Sequence, residues 1–113
     1  MDNIREETKN FIEDTINSNN VVIFMKGTKD FPQCGFSASV IAILEKLNLE
    51  FLDINVLENN DLREGIKEYT DWPTIPQLYI KGEFIGGCDI VKELFSTGEL
   101  NKILEDKKIT YKK

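Results

Sequence analysis

With 113 residues and a formal net charge of −6, the chain is long enough for one compact domain and too short for a second sizeable core. The acidic balance disfavours nucleic acid as a partner, because phosphates repel such a surface. The sequence contains no histidine and only two cysteines, which excludes histidine-ligated metal sites, cysteine–histidine catalytic pairs and a scaffold built on disulfides.

The lengths of the apolar runs and the character of the first residues favour an intracellular protein that is not bound to a membrane. No apolar run reaches the length that a membrane-spanning helix needs. The first seven residues are acidic and lack the apolar segment of a signal peptide. We therefore expect a cytoplasmic location, or the mitochondrial matrix if a targeting segment has been removed, and no membrane partner.

The first third of the chain predicts a helix followed by a buried strand. Residues 17–20 form a polar break that indicates the helix exit, and the continuous apolar run 21–25 is typical of a strand buried on both faces. Four apolar residues recur at helical spacing and predict the amphipathic helix before that break: Ile4, Phe11, Ile12 and Ile16.

The middle of the chain predicts a second helix, a second strand and a third helix. A loop over 27–33 precedes a helix from Ser37, and alternation over 51–56 predicts a strand. The apolar residues that define the two helices are Val40, Ile41, Leu44 and Leu47 in the first, and Leu62, Ile66 and Tyr69 in the second.

The last third predicts a β-hairpin over 78–85 that turns at 81–83. Asp89 is a candidate N-cap for a helix that ends near Gly98, and Leu100, Ile103 and Leu104 predict a final helical segment. A strand–helix–strand unit gives two parallel strands with a right-handed crossover, to which the hairpin adds antiparallel strands. We therefore predict a single α/β domain over 1–113, with its core at about 20–105. Its architecture is a thioredoxin-like four-stranded mixed sheet with helices on both faces.

Cys34 is the main candidate for chemistry. It lies between a buried strand and the helix that follows, where free N–H groups and the helix dipole favour a thiolate. Lys26 can bring an ammonium group to the same place. Ser37 stands where a C-x-x-C motif carries its second cysteine, so no disulfide can form within the loop. The alternative is that Cys34 is only a small buried apolar residue.

Four segments in register resemble the monothiol glutaredoxin family along nearly the whole chain from the first strand to Leu104. They are MKG at 25–27, CGFS at 34–37, WPTIPQ at 72–77 and GGCD at 86–89. The resemblance implies a cis peptide bond before Pro76 and a binding site for glutathione. Trp72 is interpreted as a packing anchor rather than a ligand contact.

The resemblance also implies a role for each site residue. Lys26 and Arg63 would meet the glycyl carboxylate of glutathione, the backbone of Ile75 would pair with the peptide, and Cys88 and Asp89 would receive its γ-glutamyl end. Cys88 keeps three interpretations, as a wall of the pocket, as a thiol that forms a disulfide with Cys34, or as an iron ligand, and the first is favoured.

The resemblance further implies that the protein binds a 2Fe–2S cluster. Its ligands would be Cys34 of two chains and the thiols of two glutathione molecules, which matches the usual need for four thiolates. The implied protein is a cluster carrier that forms a bridged homodimer, serves iron–sulfur acceptor proteins and can pair with BolA-type proteins. The first alternative is a glutathione-dependent thiol–disulfide oxidoreductase that uses Cys34, which the long loop before the cysteine disfavours. The second is a thioredoxin-like fold with an inert cysteine.

Overall fold

The computed structural model describes residues 4–112, which form five α-helices, four β-strands and one short 3-10 turn. The helices are α1 (Glu6–Ser18), α2 (Gly35–Lys46), α3 (Asn60–Thr70), α4 (Cys88–Thr97) and α5 (Glu99–Asp106). The strands are β1 (Val21–Met25), β2 (Leu52–Asn55), β3 (Gln77–Ile80) and β4 (Glu83–Gly86), and the 3-10 turn is Val56–Glu58.

The strands form one mixed sheet in the order β2-β1-β3-β4. β1 and β2 are parallel, with Phe24 opposite Ile54, whereas β3 runs antiparallel to both β1 and β4. The predicted four-stranded mixed sheet of an α/β protein is therefore confirmed. Within residues 4–112, no helix has both the length and the apolarity that crossing a bilayer requires.

The core lies on both faces of this sheet, and β1 runs through its centre. All five β1 side chains are at most 1% exposed. Because successive strand residues point to opposite faces, Val21, Ile23 and Met25 join the cluster formed with α2, α4 and α5. Val22 and Phe24 join the cluster formed with α1 and α3. The prediction of a strand buried on both faces is confirmed.

One expectation about the first helix is wrong. Phe11 is 47% exposed, because it lies about 100° around the helix from Ile12, which faces the core. The predicted helix exit within 17–20 is confirmed, and residues 17 and 18 form the last part of the helix. The exit comes at Asn19, whose side-chain amide donates to the carbonyl of Thr15 (3.0 Å).

The start of α4 also differs from the sequence expectation. Gly87, in an extended conformation, is the N-cap, so the predicted cap Asp89 is instead the second helical residue. A side chain at Gly87 would place its Cβ 3.2 Å from Trp72 Nε1 and 3.3 Å from the Pro76 carbonyl oxygen. Close packing against the segment before β3 therefore sets the beginning of this helix. Its predicted end at Gly98 is confirmed.

Candidate functional site

Cys34 is held at the end of a loop that closes on itself. The N–H of Gln33 donates to the carbonyl of Lys26 (2.9 Å), and Thr28 and Phe31 exchange backbone hydrogen bonds of 3.3 and 3.1 Å. Gly27, at φ +91°, forms a bridge with Pro32. The loop thus returns the chain to the end of β1, where Cys34 is the N-cap of α2 and is partly exposed.

The surroundings of Cys34 favour the thiolate. Hydrogen bonding from the backbone N–H of Ser37 contributes most to lowering the pKa of the Cys34 thiol below its ordinary value, and partial burial opposes it. The N–H of Phe36, the Lys26 ammonium and the Ser37 hydroxyl lower the pKa further. The Cys34 side chain makes no capping hydrogen bond to α2. Its contacts with the N–H groups therefore stabilise the thiolate more than they stabilise the helix. The predicted thiolate environment is present.

Ser37 has a role that the sequence analysis did not assign to it. Its side chain is fully buried, and its hydroxyl oxygen accepts the backbone N–H of Lys26 at 3.2 Å. The hydroxyl proton is thereby left for the sulfur of Cys34, whose pKa it lowers. The residue in place of a second cysteine therefore supports the first one electrostatically.

A basic cavity of about 280 Å³ opens beside Cys34. It brings together Lys26 and Arg63, as predicted, although the chain as a whole is acidic. Lys67 joins them and was missed by the sequence analysis. Its position one helical turn after Arg63, on the same face of α3, is the pattern that could have revealed it. Its ammonium pairs with Glu64 at 3.3 Å, whereas Arg63 forms no ion pair within residues 4–112.

A second, more apolar cavity of about 340 Å³ continues from the first. Both cavities share the side chains of Phe36, Thr74 and Ile75. We call the two together the groove. Its apolar part is further lined by Trp72, Pro76, Gly87, Cys88, Asp89 and Ile90. The groove therefore brings all five predicted glutathione-contacting residues and Cys34 to one surface.

Ile75 lines both parts of the groove. The Ile75–Pro76 peptide bond is cis, as the resemblance implied. Ile75 precedes β3, and the last ladder pair with β1 is Phe24 with Gln77. The Ile75 peptide thus lies just beyond the sheet ladder, at a place where an extended peptide can add to it.

Gln77 holds the segment that forms the floor of the groove. Its fully buried amide donates to the carbonyls of Trp72 and Thr74, both at 3.3 Å, and accepts from the Tyr79 hydroxyl at 3.1 Å. Trp72 packs on Phe84 with ring centroids 5.6 Å apart, which confirms the packing role. Trp72 also lines the apolar cavity, which its interpretation as a packing anchor alone did not include.

The far end of the groove is the N-terminus of α4. The first intrahelical hydrogen bond runs from Val91 N–H to Gly87 O (3.0 Å), so the N–H groups of Cys88, Asp89 and Ile90 precede it. The Asp89 side chain is exposed. Cys88 is 9% exposed and belongs to the core cluster beneath the cavity. This position favours the pocket-wall interpretation, and the disulfide and iron-ligand roles remain predictions.

The described residues offer no complete metal site. Within residues 4–112, no three Cys, Asp or Glu side chains lie together in a group that could hold a metal ion. In this part of the chain, Cys34 therefore has no second thiol or group of carboxylates beside it that could complete a metal site.

Comparison with known proteins identifies the family. The Glutaredoxin family profile matches residues 21–85. A probable monothiol glutaredoxin 2 of Rickettsia typhi is 62% identical over 102 residues, which cover 88% of this chain and 92% of that protein. The solution structure of a monomeric truncated mutant of Trypanosoma brucei 1-C-Grx1 has a TM-score of 0.86 and 47% identity and covers 93% of this chain and 96% of that one.

A third comparison concerns a bound ligand. The crystal structure of a buckwheat glutaredoxin–glutathione complex has a TM-score of 0.75 and 27% identity, and it covers 90% of this chain and 94% of that one. The profile match, the close relatives and the shared fold agree with the single thiol at the tip of α2. This chain belongs to the glutaredoxin family and, within it, to the monothiol glutaredoxins.

Proposed function

We propose that this protein binds glutathione in the groove and carries a 2Fe–2S cluster as a cluster-bridged homodimer in iron–sulfur assembly or iron homeostasis. The observation that carries the proposal is the position of the Cys34 thiol. It opens on a groove with cations at one end and a helix N-terminus at the other. The glutathione complex of the related buckwheat protein supports the choice of ligand.

The charges of the groove match those of glutathione, a tripeptide with a carboxylate at each end and one ammonium. Lys26, Arg63 and Lys67 suit the glycyl carboxylate, because charged donors give the stronger hydrogen bonds to anions. The N–H groups at the start of α4 suit the γ-glutamyl carboxylate. The exposed carboxylate of Asp89 suits the adjacent ammonium.

The number of available thiolate ligands suits a 2Fe–2S cluster that the protein carries and then delivers. This chain offers one accessible thiolate, Cys34, whereas such a cluster usually takes four. Two chains and two bound glutathione molecules complete the set, so the groove would hold half of the ligands in exchangeable form. Exchangeable ligands suit delivery to acceptor proteins, and a mixed pair with a BolA-type protein belongs to the same proposal.

Anaerobic reconstitution tests the proposal. With iron, sulfide and glutathione, we expect visible absorption and a dimer on size-exclusion chromatography. S-methylglutathione keeps the peptide but cannot supply a thiolate, so it should give a colourless monomer. A stable cluster without any glutathione, or a coloured monomer, would contradict the shared-ligand proposal.

Thiol–disulfide exchange is the second candidate, and the lowered pKa of the Cys34 thiol favours it. In that reaction the Cys34 thiolate attacks the glutathione sulfur of a mixed disulfide, and the substrate thiolate leaves. A second glutathione thiolate then attacks the sulfur bound to Cys34, forms oxidised glutathione and releases the Cys34 thiolate. Brisk deglutathionylation by a protein that stays colourless after reconstitution would favour this enzyme over the carrier.

A further inference from the structure

Asn55, the last residue of β2, makes two hydrogen bonds with one atom. Its side-chain oxygen accepts the backbone N–H of Gly27 at 2.9 Å and the backbone N–H of Leu57 at 3.0 Å. The first donor opens the loop that leads to Cys34, and the second belongs to the 3-10 turn before α3. One amide oxygen thus joins two segments that are 30 residues apart in the chain.

On the loop side, Asn55 holds the peptide unit between Lys26 and Gly27. The N–H of that unit donates to Asn55, and its carbonyl accepts from Gln33 N–H at 2.9 Å. The backbone N–H of Lys26 donates to the hydroxyl of Ser37 at 3.2 Å. The orientation of this peptide unit therefore determines where Gln33, the residue before Cys34, lies, and the adjoining N–H of Lys26 holds the Ser37 hydroxyl against the same segment.

On the helix side, Asn55 holds the turn that starts α3. Val56, the first residue of the turn, is fully buried, and Asn59 caps α3 by accepting from Leu62 N–H at 3.1 Å. The turn is therefore fixed at both ends, and it leads directly to the turn of α3 that carries Arg63. A shift of the turn would move this cation relative to Cys34.

The loop has a second attachment on the same strand. Asp53 accepts the backbone N–H of Lys29 at 2.8 Å, and the Lys29 ammonium lies 5.7 Å from the centre of the Phe51 ring. The loop thus contacts the segment of β2, which is the edge strand of the sheet formed by residues 4–112. These contacts are exposed and secure the loop without reaching α3.

We infer that Asn55 is a positioning residue that sets the separation between the two walls of the basic cavity, the loop with Lys26 and Cys34 on one side and α3 with Arg63 on the other. This inference deepens the proposed function, because it assigns the geometry of the glutathione site to a residue outside it. Asn55 lines neither cavity of the groove. It acts only through the backbone groups that it holds.

The test compares matched substitutions in a Cys88→Ala parent, which leaves Cys34 as the only thiol. Asn55→Thr suits a strand but shortens the side chain, so its oxygen cannot reach both donors. Asn55→Asp keeps an acceptor oxygen in the same place. Asn19→Thr is the control, because Asn19 makes one hydrogen bond, to the Thr15 carbonyl, before the start of β1 and away from Cys34.

Three measurements report on the two walls of the basic cavity: amide hydrogen exchange, titration of the Cys34 thiol and glutathione affinity. In Asn55→Thr, the amides of Gly27 and Leu57 should lose protection from hydrogen exchange together, and the ultraviolet titration of Cys34 should move to higher pH. Glutathione, titrated by the fluorescence of the single tryptophan, should bind roughly fivefold more weakly, as expected for one lost hydrogen bond. Asn55→Asp should keep both amides protected, and Asn19→Thr should match the parent in all three.

The inference is overturned if Asn55→Thr and Asn19→Thr give the same amide protection, thiol titration and glutathione affinity. It is also overturned if Asn55→Asp loses the protection of both amides. If the wild-type protein, titrated in the same way, does not bind glutathione, the proposed function fails. The amide exchange and the thiol titration then decide the inference alone, because neither measurement needs the ligand.

Discussion

The two cysteines stand at the N-termini of two helices, yet they occupy different positions there. Cys34 is the N-cap of α2, is partly exposed and lines the basic cavity. Cys88 is the first helical residue of α4, follows the N-cap Gly87 and is 9% exposed. The same side chain therefore faces solvent at one helix and the core at the other.

Much of this difference arises because Cys34 is the N-cap residue of its helix, whereas Cys88 is one residue further along, at the first helical position. The side chain of an N-cap residue faces the free N–H groups two and three residues later, whereas that of the next residue does not. Accordingly, the N–H groups of Ser37 and Phe36 lower the pKa of the Cys34 thiol. Cys88 instead lines the groove while its side chain belongs to the core cluster. A helix N-terminus alone does not make a reactive thiol.

The largest expected difference between the cysteines is in cluster binding. Cys34→Ser should abolish the visible absorption of the reconstituted protein, because it removes the only accessible protein thiolate. Cys88→Ala should retain the absorption, because the Cys88 side chain is buried in the core cluster. A cluster retained by Cys34→Ser and lost by Cys88→Ala would reverse the assignment, and circular dichroism of both variants checks that the fold persists.

The second prediction concerns the cations on the Cys34 side. Arg63→Ala should weaken glutathione binding about tenfold, because it removes a charged donor from the basic cavity. Arg5→Ala is the matched control, since Arg5 pairs with Asp61 at 3.3 Å and does not line the groove. Titration by tryptophan fluorescence measures both variants. Equal affinities would show that Arg63 does not meet the ligand.

The third prediction concerns the hydroxyl that supports Cys34. Ser37→Ala should raise the pKa of the Cys34 thiol and slow its alkylation by iodoacetamide near neutral pH roughly threefold, as expected for one weak hydrogen bond to sulfur. Ser39→Ala is the control, because Ser39 donates to the Gly35 carbonyl on the same helix at 3.0 Å. If Ser37→Ala is alkylated at an unchanged rate, the Ser37 hydroxyl does not lower the pKa of the Cys34 thiol.

The smallest effect is the contribution of the Cys34 thiolate to stability. Because folding lowers the pKa of this thiol, its contribution is complete above the unfolded cysteine pKa of about 8.5 and is lost as the pH falls through the lower folded value. Solvent screening keeps it below about 1 kcal/mol. Denaturant unfolding of the wild type and Cys34→Ser across this range should show the wild type gaining stability as the pH rises. A constant difference would contradict a lowered pKa.

Much of the fold follows from local sequence patterns. The apolar run at β1 and the helical spacing of Leu62 and Ile66 predicted their elements correctly, because both patterns report burial directly. Phe11 did not follow its pattern, since a helix buries a stripe whose width depends on what packs against it. The start of α4 was misplaced for a related reason, because contacts at Gly87 rather than a capping side chain define it.

Some residues of the candidate site could likewise be predicted from the sequence, whereas others could not. Cys34, Lys26 and Arg63 could be named from the sequence, because short motifs and family resemblance locate them. Lys67 and Gln77 emerged from the structure. Lys67 faces the cavity only because α3 lies beside the Cys34 loop, and Gln77 matters because its buried amide reaches back to the Trp72 and Thr74 carbonyls.

The order of helices and strands, the identity of the accessible thiol and its place before a helix could all be predicted from the amino-acid sequence, because they depend on neighbours within a few residues. Tertiary structure alone decided how far Cys34 lies from the cations of α3 and which side chains wall the groove. Those distances depend on how separate elements meet, through contacts such as Asn55 with Gly27 and Leu57 that join distant parts of the chain. No local pattern encodes such a contact, because its two ends are chosen by the packing of the whole domain.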